Sequence, residues 1–405
     1  QVTSTVAWGG RSGHTSMVYN NVMWVVGGHD GISRVNDAWK SLSFAAPPAI
    51  SSVAGSEWQL VTSAAAFSAR SGHASVVYKN RMWVLAGGDN ADLALHDVWS
   101  SRDGDTWTLA TSSPGWGVRW VPTLLVHNDL MWVMGGHDGG QLNDVWSSSD
   151  GSTWTQVTSA ADWSARLYHS GLVYNDLMWV IGGYDGSSLF NDVWSSSDGD
   201  TWTQVTAAAP WSSRYAHTCV VYDNRMWVMG GHDVGQLNDV WSSSDGSTWT
   251  QVTSAADWSA RLYHSGLVYN DQMWILGGYY DSSTLFNDVW SSSDGSTWTQ
   301  VTSTVAWGGR SGHTSMVFDN VMWVMGGHDG ISRVNDAWKS VLPLTTIPSA
   351  EPSGVPSGES RGAPTFPLVP TSPLVDYNCN LSVEWNQMGD QVDGGHAWDE
   401  FGSVT

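Results

Sequence analysis

Cysteine, lysine and long apolar runs are what this sequence has least of. Cys219 and Cys379 are the only cysteines in 405 residues, too few for a disulfide framework. No run of 18 or more apolar residues occurs, so no helical membrane span is expected. Lys and Arg number 16 against 38 Asp and Glu, a formal net charge of -22. So acidic a chain repels a phosphate backbone, and nucleic acid is not an expected partner. Good helix formers are scarce beside Ser, Thr, Val and Gly. Disorder is excluded by the 29 Trp and the 41% of hydrophobic residues, which supply one large core or two ordinary ones. The first residue is Gln1 rather than Met, so a leader removed before it, or a start outside the sequence, is expected.

What is abundant is repetition. A Gly-Gly pair closes an apolar run at Gly27, Gly87, Gly135, Gly182, Gly230, Gly277 and Gly326. One unit starts at Arg166 and runs SGLVY, MWVIGG, NDVWSS and TWTQVT, separated by Asn-Asp, Tyr-Asp-Gly and Asp-Gly turns. Short apolar runs between such turns predict four antiparallel strands, here called a, b, c and d.

Units of this length, with Gly-Gly ending strand b, an aromatic in strand c and a Trp in strand d, resemble kelch repeats. The resemblance covers residues 1–341. It implies an all-β chain, a β-propeller of four-stranded blades, and seven copies predict seven blades. Met-Trp in strand b and an Asp-box-like Ser-Asp-Gly turn before strand d depart from the usual kelch pattern. Residues 342–375 then read as a Pro/Ser/Thr-rich linker, and residues 376–405 as a terminal segment.

The copies are unusually alike. Residues 141–199 recur almost verbatim from Gln236. Residues 1–42 recur at 300–341 with four differences, Tyr19/Phe318, Asn20/Asp319, Val26/Met325 and Leu42/Val341. Such uniformity suits an extended scaffold better than a site to which each blade brings a different catalytic group.

The Trp residues fall into the repeat: seven in strand b, seven in strand c, six in strand d and six before the repeat Arg. Packing between blades is their expected role. The Trp of the d-to-a loops are the set open to a sugar-stacking reading. Arg11, Arg70, Arg119, Arg166, Arg214, Arg261 and Arg310 recur once per unit, as does the Asp of Asn-Asp-Val-Trp. An ion pair or fork tying neighbouring blades is expected of them.

The b-to-c loops vary most. They carry His29 and Asp30, His137 and Asp138, Tyr184 and Asp185, His232 and Asp233, Tyr279 and Asp281, and His328 and Asp329. These are the candidate binding residues of the loop face. Adjacent His and Asp point apart, so a metal would need several blades to converge, and Asp in turn chemistry is the expected role. No metal and no cofactor are expected.

The sequence contains no His-Glu-x-x-His and no phosphate loop. Some kelch-like propellers are copper oxidases with a Cys beside a Tyr radical. A galactose-oxidase-like role is the remote alternative here, because Cys219 aligns with Ser16 and Gly171, small packing positions. No catalytic residues are assigned.

Residues 343–373 hold eight of the 13 Pro, an extended, polyproline-like stretch that also suits O-glycans. Asn380 heads the N-glycosylation sequon Asn-Leu-Ser. Val383, Trp385, Gln387 and Met388 lie in a segment like strand d, while blade 7 stops after strand c. Either that segment or Gln1-Val2-Thr3 is expected to fill the open edge, and the unused one is free to add to a neighbour. The expected function is a non-enzymatic, secreted structural protein, a subunit of an extracellular filament or surface assembly, with copies of itself and attached glycans as partners. A lectin or adhesin using the loop face is the alternative.

Overall fold

The computed structural model describes residues 15–19, 22–29, 34–40, 53–281 and 284–341. Repeat 4 shows how local chemistry builds one unit. Strand a (Ser170–Tyr174) reverses into strand b (Leu177–Tyr184) through Asn175 and Asp176, with φ of 49° and 55°. Two successive left-handed residues make a type I′ turn, whose twist matches that of the strands it joins. Strand b pairs with strand c (Leu189–Ser196) as far as Ile181↔Val193, and there the register shifts. Gly182 and Gly183 sit at that bulge with φ of 58° and 108°, where a side chain is strained. Strand d (Thr203–Thr206) closes the unit on its outer, half-exposed edge. Strand b is buried on both faces, which explains why it reads as an unbroken apolar run.

The same four-stranded sheet forms in repeat 2 (Ala74–Tyr78, Arg81–Leu85, Val98–Ser101, Trp107–Thr111) and repeat 3 (Thr123–His127, Leu130–His137, Gln141–Ser148, Thr155–Thr158). Repeat 5 repeats it (Thr218–Tyr222, Arg225–His232, Gln236–Ser243, Thr250–Thr253), as does repeat 6 (Ser265–Tyr269, Gln272–Leu276, Val289–Ser292, Thr299–Thr302). Repeat 6 adds a small ribbon of Tyr279–Asp281 and Thr284–Leu285 in its b-to-c loop. Repeat 7 supplies Thr314–Phe318, Val321–His328 and Arg333–Ser340. Strands a stand side by side in the order 2, 3, 4, 5, 6, 7 and back to 2, closing an all-β propeller.

The ring has six blades, not the seven that seven repeats predicted. The reason lies in one strand. Trp58–Thr62, expected to complete repeat 1, pairs instead with Arg333–Ser340 of repeat 7, in the register Ala337↔Thr62, Trp338↔Leu60, Lys339↔Gln59 and Ser340↔Trp58. The Val341 N–H donates to Glu57 O at 2.9 Å and extends that pairing. The last blade is therefore built from both ends of the ring, and the edge left to the tail or to Gln1-Val2-Thr3 is already filled. The first three residues and residues 342–405, with the linker, the terminal segment and its candidate strand, lie outside the described residues. Repeat 1 (Thr15–Tyr19, Val22–His29, Arg34–Lys40) forms a separate three-stranded sheet.

The cores lie between blades. Met82 and Val84 of repeat 2 pack with Trp323 and Met325 of repeat 7, and this closing junction is composed like the others. The glycine of each Asp-Gly turn between strands c and d sits on the strand b Trp of the preceding blade. A Cβ on Gly151 would lie 2.1 Å from Trp83, and one on Gly104 would lie 2.2 Å from Trp323. Burying a Trp removes ~200 Å² from water, which at about 25 cal/mol per Å² contributes roughly 5 kcal/mol before entropy.

Candidate functional site

The six repeat Arg of the ring hold the site's frame. Arg166 is fully buried and grips Asp192 with both Nη atoms, at 2.7 and 2.9 Å, while Nη1 also donates to Gly182 O at 2.8 Å. The same fork joins Arg70 to Asp97, Arg119 to Asp144, Arg214 to Asp239, Arg261 to Asp288 and Arg310 to Asp336. Both partners belong to one blade, so the fork does not tie neighbours as expected. The link to the neighbour is made by backbone: Arg166 N–H donates to Leu142 O and Gly136 N–H donates to Arg166 O. Burial works to raise the Asp97 carboxyl, but its bonds to Arg70 outweigh that and leave it below the usual range. Asp192 Oδ2 also accepts from Trp194 Nε1 at 2.8 Å, which fixes the strand c indole.

The Trp take the packing role. The strand b Trp of the ring, Trp83, Trp132, Trp179, Trp227, Trp274 and Trp323, are buried, and so are the d-to-a loop Trp116, Trp163, Trp211, Trp258 and Trp307, so the latter are not platforms for sugar. The strand c Trp of the ring, such as Trp194 and Trp338, are only half-buried, less than expected.

Two features surround the axis. The first is a channel of about 280 Å³ walled by His73, His169, His217, His264 and His313, with Pro122 at the same place in repeat 3. Each ring fits against the bulge glycine of the preceding blade, as His169 does at Gly135. Burial, and then the charge of Arg70, Arg166 and Arg261, pushes His73, His169 and His264 down to about 3. His217 and His313 are held well below the ordinary value for the same reasons. These imidazoles are neutral at physiological pH. Cys219 also lines the channel, where burial pushes its thiol up to about 12. That holds it as an unreactive thiol.

The second feature is a circle of six residues joined by five backbone hydrogen bonds, with no such bond between Tyr168 and Val121, at the end of the channel that meets the b-to-c loops. Gly72 N–H donates to Gly312 O, Val121 to Gly72, Ala216 to Tyr168, Tyr263 to Ala216 and Gly312 to Tyr263, at 2.8–3.1 Å. All six residues of the circle have φ between 46° and 59°. The left-handed turn directs the peptide bonds of each d-to-a loop around the axis. Tyr168, Tyr215 and Tyr263 cluster here, with ring centroids 5.2–6.3 Å apart, and Tyr184 and His232 join at Tyr215. A hollow of about 200 Å³ beside them is lined by Trp120, Val121, Tyr168, Tyr263 and His328. Arg333 lies over Trp120, donates to Ser71 Oγ at 2.9 Å, and pairs with Asp92 at 2.8 Å.

The candidate loop residues divide around this mouth. His137, Tyr184, His232, Tyr279 and His328 each bridge to the neighbouring d-to-a loop, pairing with Trp120, Leu167, Tyr215, Leu262 and Ser311. They form its rim. The carboxylates do turn chemistry: Asp138 accepts from Gly140 N–H, Asp185 from Ser187 and Ser188, Asp233 from Gly235, and Asp329 from Ile331 and Ser332. Asp281 ends the ribbon of repeat 6. The backbone of His29 pairs with Arg34 in the separate sheet. Asp30, Asn380, Val383, Trp385, Gln387 and Met388 lie outside the described residues. No group of three or more His, Cys, Asp or Glu is arranged to hold a metal among the described residues.

Sequence reasoning missed the tyrosines. Tyr168 and Tyr263 stand two residues after the repeat Arg, where other repeats have Gly72, Val121, Ala216 and Gly312. That departure from the repeat was the available signal. It also missed Gly358-Glu-Ser-Arg-Gly362, which spells Gly-x-Ser-x-Gly. This match lies outside the described residues, in a Pro-rich stretch whose sequence has no apolar run leading into it, as such a nucleophile turn requires.

Family comparisons agree with this geometry. A model described as the KLHDC2/KLHL20/DRC7 Kelch-repeats domain matches residues 106–257. The Kelch motif matches residues 10–40 and again 309–339. No curated protein matches the chain. The matched repeats, the four-stranded antiparallel blades and their Gly-Gly bulges together place the chain in the kelch-repeat β-propeller family.

Proposed function

We propose that this chain is a non-enzymatic scaffold whose loop face binds protein, and that copies of it assemble into an extracellular filament or surface layer. A kelch-repeat propeller suggests a protein-interaction scaffold, which supports the first half. The observation that carries the reading is a set of exposed apolar tips on the b-to-c loops. Leu93, Tyr280, Ile331 and Val234 are 61%, 43%, 92% and 101% exposed around the tyrosine-lined mouth. Apolar side chains grouped on one face and rimmed by polar turns favour a protein partner. Near-identical repeats and a Lys-poor, acidic chain support the assembly, and the Asn380 sequon supports secretion and attached glycans.

Sedimentation and electron microscopy of the full chain test this, beside a variant carrying Leu93→Ser, Val234→Ser and Ile331→Ser. Assemblies formed by the native chain and lost in the variant are expected. A chain that stays monomeric at every concentration overturns the assembly. A second variant lacking residues 343–405 tests the tail as connector, and assemblies surviving that deletion assign the contact to the loop face alone. A mass shift of native material on removal of N-linked glycans tests Asn380.

Glycan binding at the same face is the second reading, favoured by Tyr168, Tyr215 and Tyr263 rather than by the buried Trp. A glycan array probed with the full chain, and then with Tyr168→Ala and Tyr263→Ala, decides it.

A further inference from the structure

We propose that residues 15–40 are a second, interchangeable claimant to the blade that Trp58–Thr62 completes, and that the outer edge of Arg34–Lys40 is a docking surface for that same strand of this chain. In the structure Arg333–Ser340 holds Trp58–Thr62 through Ala337, Trp338, Lys339 and Ser340. Ala38, Trp39, Lys40 and Ser41 repeat those four residues in the same order. Seven repeats supply strands a, b and c, yet the described strands of type d all belong to the six-bladed ring. Among the described residues, repeat 1 has no fourth strand.

Repeat 1 already has the backbone register that the ring requires. It pairs Val25↔Trp39, Val26↔Ala38, Gly28↔Val35 and His29↔Arg34, with the bulge between Val26 and Gly28. Repeat 7 pairs Val324↔Trp338, Met325↔Ala337, Gly327↔Val334 and His328↔Arg333, with the bulge at the same place. The contacts that join repeat 7 to repeat 2 use Thr314 with His73, Gly327 with Arg70, Arg333 with Ser71 and Asp92, and Asn335 with Ala65 and Phe67. Repeat 1 has the same residues at those positions: Thr15, Gly28, Arg34 and Asn36.

The differences between the copies act in opposite directions. Met325 is fully buried, and Val26 in its place removes side-chain volume from a packed junction. Against that, repeat 1 has Tyr19 where repeat 7 has Phe318. At this position Tyr78, Tyr174 and Tyr269 each donate a hydroxyl hydrogen bond to the next blade's turn, at Asp129 O, Asn224 O and Asn320 O. Phe318 cannot make that bond.

Connectivity permits the exchange without threading. Repeat 7 joins the ring from Thr302, the end of repeat 6, and repeat 1 joins it from Trp58 itself through residues 41–57. Both copies are tethered beside the same position, so the exchange is intramolecular and proceeds at high effective concentration. Among the described strands, the outer edge of Arg34–Lys40 has no partner.

The test is a disulfide trap in the full chain carrying Gln59→Cys, Lys40→Cys, Lys339→Cys and Cys379→Ser. Lys339 stands directly opposite Gln59, and Lys40 is its counterpart. After mild oxidation, peptide mapping should find mainly the 59–339 bond, with 59–40 as a minor product. Adding Ala337→Asp, which places a charge at a fully buried position of repeat 7, should make 59–40 the main bond within single chains that still unfold cooperatively. Adding Ala38→Asp as well should abolish that cooperative transition. If the Ala337→Asp chain shows no 59–40 bond, shows it only between chains, or unfolds, the proposal is overturned. It is equally overturned if the double variant melts like the single one.

Discussion

Trp58 meets Trp307 edge-on, with ring centroids 6.0 Å apart and planes at 90°. The same T-shaped contact recurs inside single repeats, between Trp116 and Trp154, Trp163 and Trp202, Trp211 and Trp249, and Trp258 and Trp298. In those pairs the loop Trp and the strand d Trp come from one repeat. Trp58 therefore occupies the strand d position of repeat 7, although the chain reaches it long before.

Replacing Trp58 by Ala removes this ring from the closing blade and should cost about 3–5 kcal/mol. Equilibrium unfolding in urea measures it. A loss below ~1 kcal/mol, the scale of an ordinary surface change, would mean that Trp58–Thr62 is dispensable for closure.

Gly151 has no room for a side chain. Its φ is 75°, and a Cβ would meet Trp83 at 2.1 Å. Gly151→Ala should therefore destabilise by about 1–3 kcal/mol through backbone strain and displaced packing. Gly117→Ala is the comparison: its φ is 74°, but nothing lies within 4 Å. Its smaller loss in the same urea titration isolates the steric part.

Arg166→Ala should cost about 3–5 kcal/mol, because it leaves the buried carboxylate of Asp192 without its partner. Arg166→Lys restores the charge but not the two-pronged grip, and should recover only part of the loss. If Lys restored full thermal stability, the fork geometry would be irrelevant to the blade.

The channel histidines make the fold acid-sensitive before its carboxylates titrate. In the unfolded chain an imidazole takes up a proton below about pH 6.5. In the ring His73, His169 and His264 resist protonation down to about 3. Between those values the unfolded state binds more protons. Stability is thus full above about pH 6.5 and falls as the pH drops towards 3, by up to ~1.4 kcal/mol per pH unit for each ring. Urea midpoints recorded across this window should slope accordingly, and His169→Gln should flatten the slope by about one proton. A pH-independent midpoint between 4 and 6.5 would contradict the buried, neutral state.

Much of this was legible from residue chemistry. Asn175-Asp176 and its equivalents dictate tight hairpins, Gly182-Gly183 dictates a bulge, and the Trp at strand positions pack between blades. The blade number was not read, although the strand that limits it was visible. Strand b Trp and strand c Trp number seven each, but strand d Trp number six, from Trp58 to Trp298. Local patterns assign a strand to a type and not to a partner. Trp58 follows repeat 1 in sequence, and only closure of the ring gives it to Trp338 and Trp307. The binding face was read partly for the same reason. His137, Asp138 and their equivalents were visible as loop residues, whereas the tyrosine cluster arises where Tyr168, Tyr215 and Tyr263, from three repeats, converge on the axis.

Amide hydrogen exchange on a chain truncated to residues 53–341 tests the six-bladed closure most directly. This piece keeps Trp58–Thr62 and repeats 2–7 and lacks repeat 1. The account expects one cooperative unfolding transition, with the ladder amides of Trp58–Thr62 protected as strongly as those of Thr203–Thr206. Rapid exchange at Trp58–Thr62 in a folded chain, or loss of the cooperative transition when repeat 1 is removed, would contradict it.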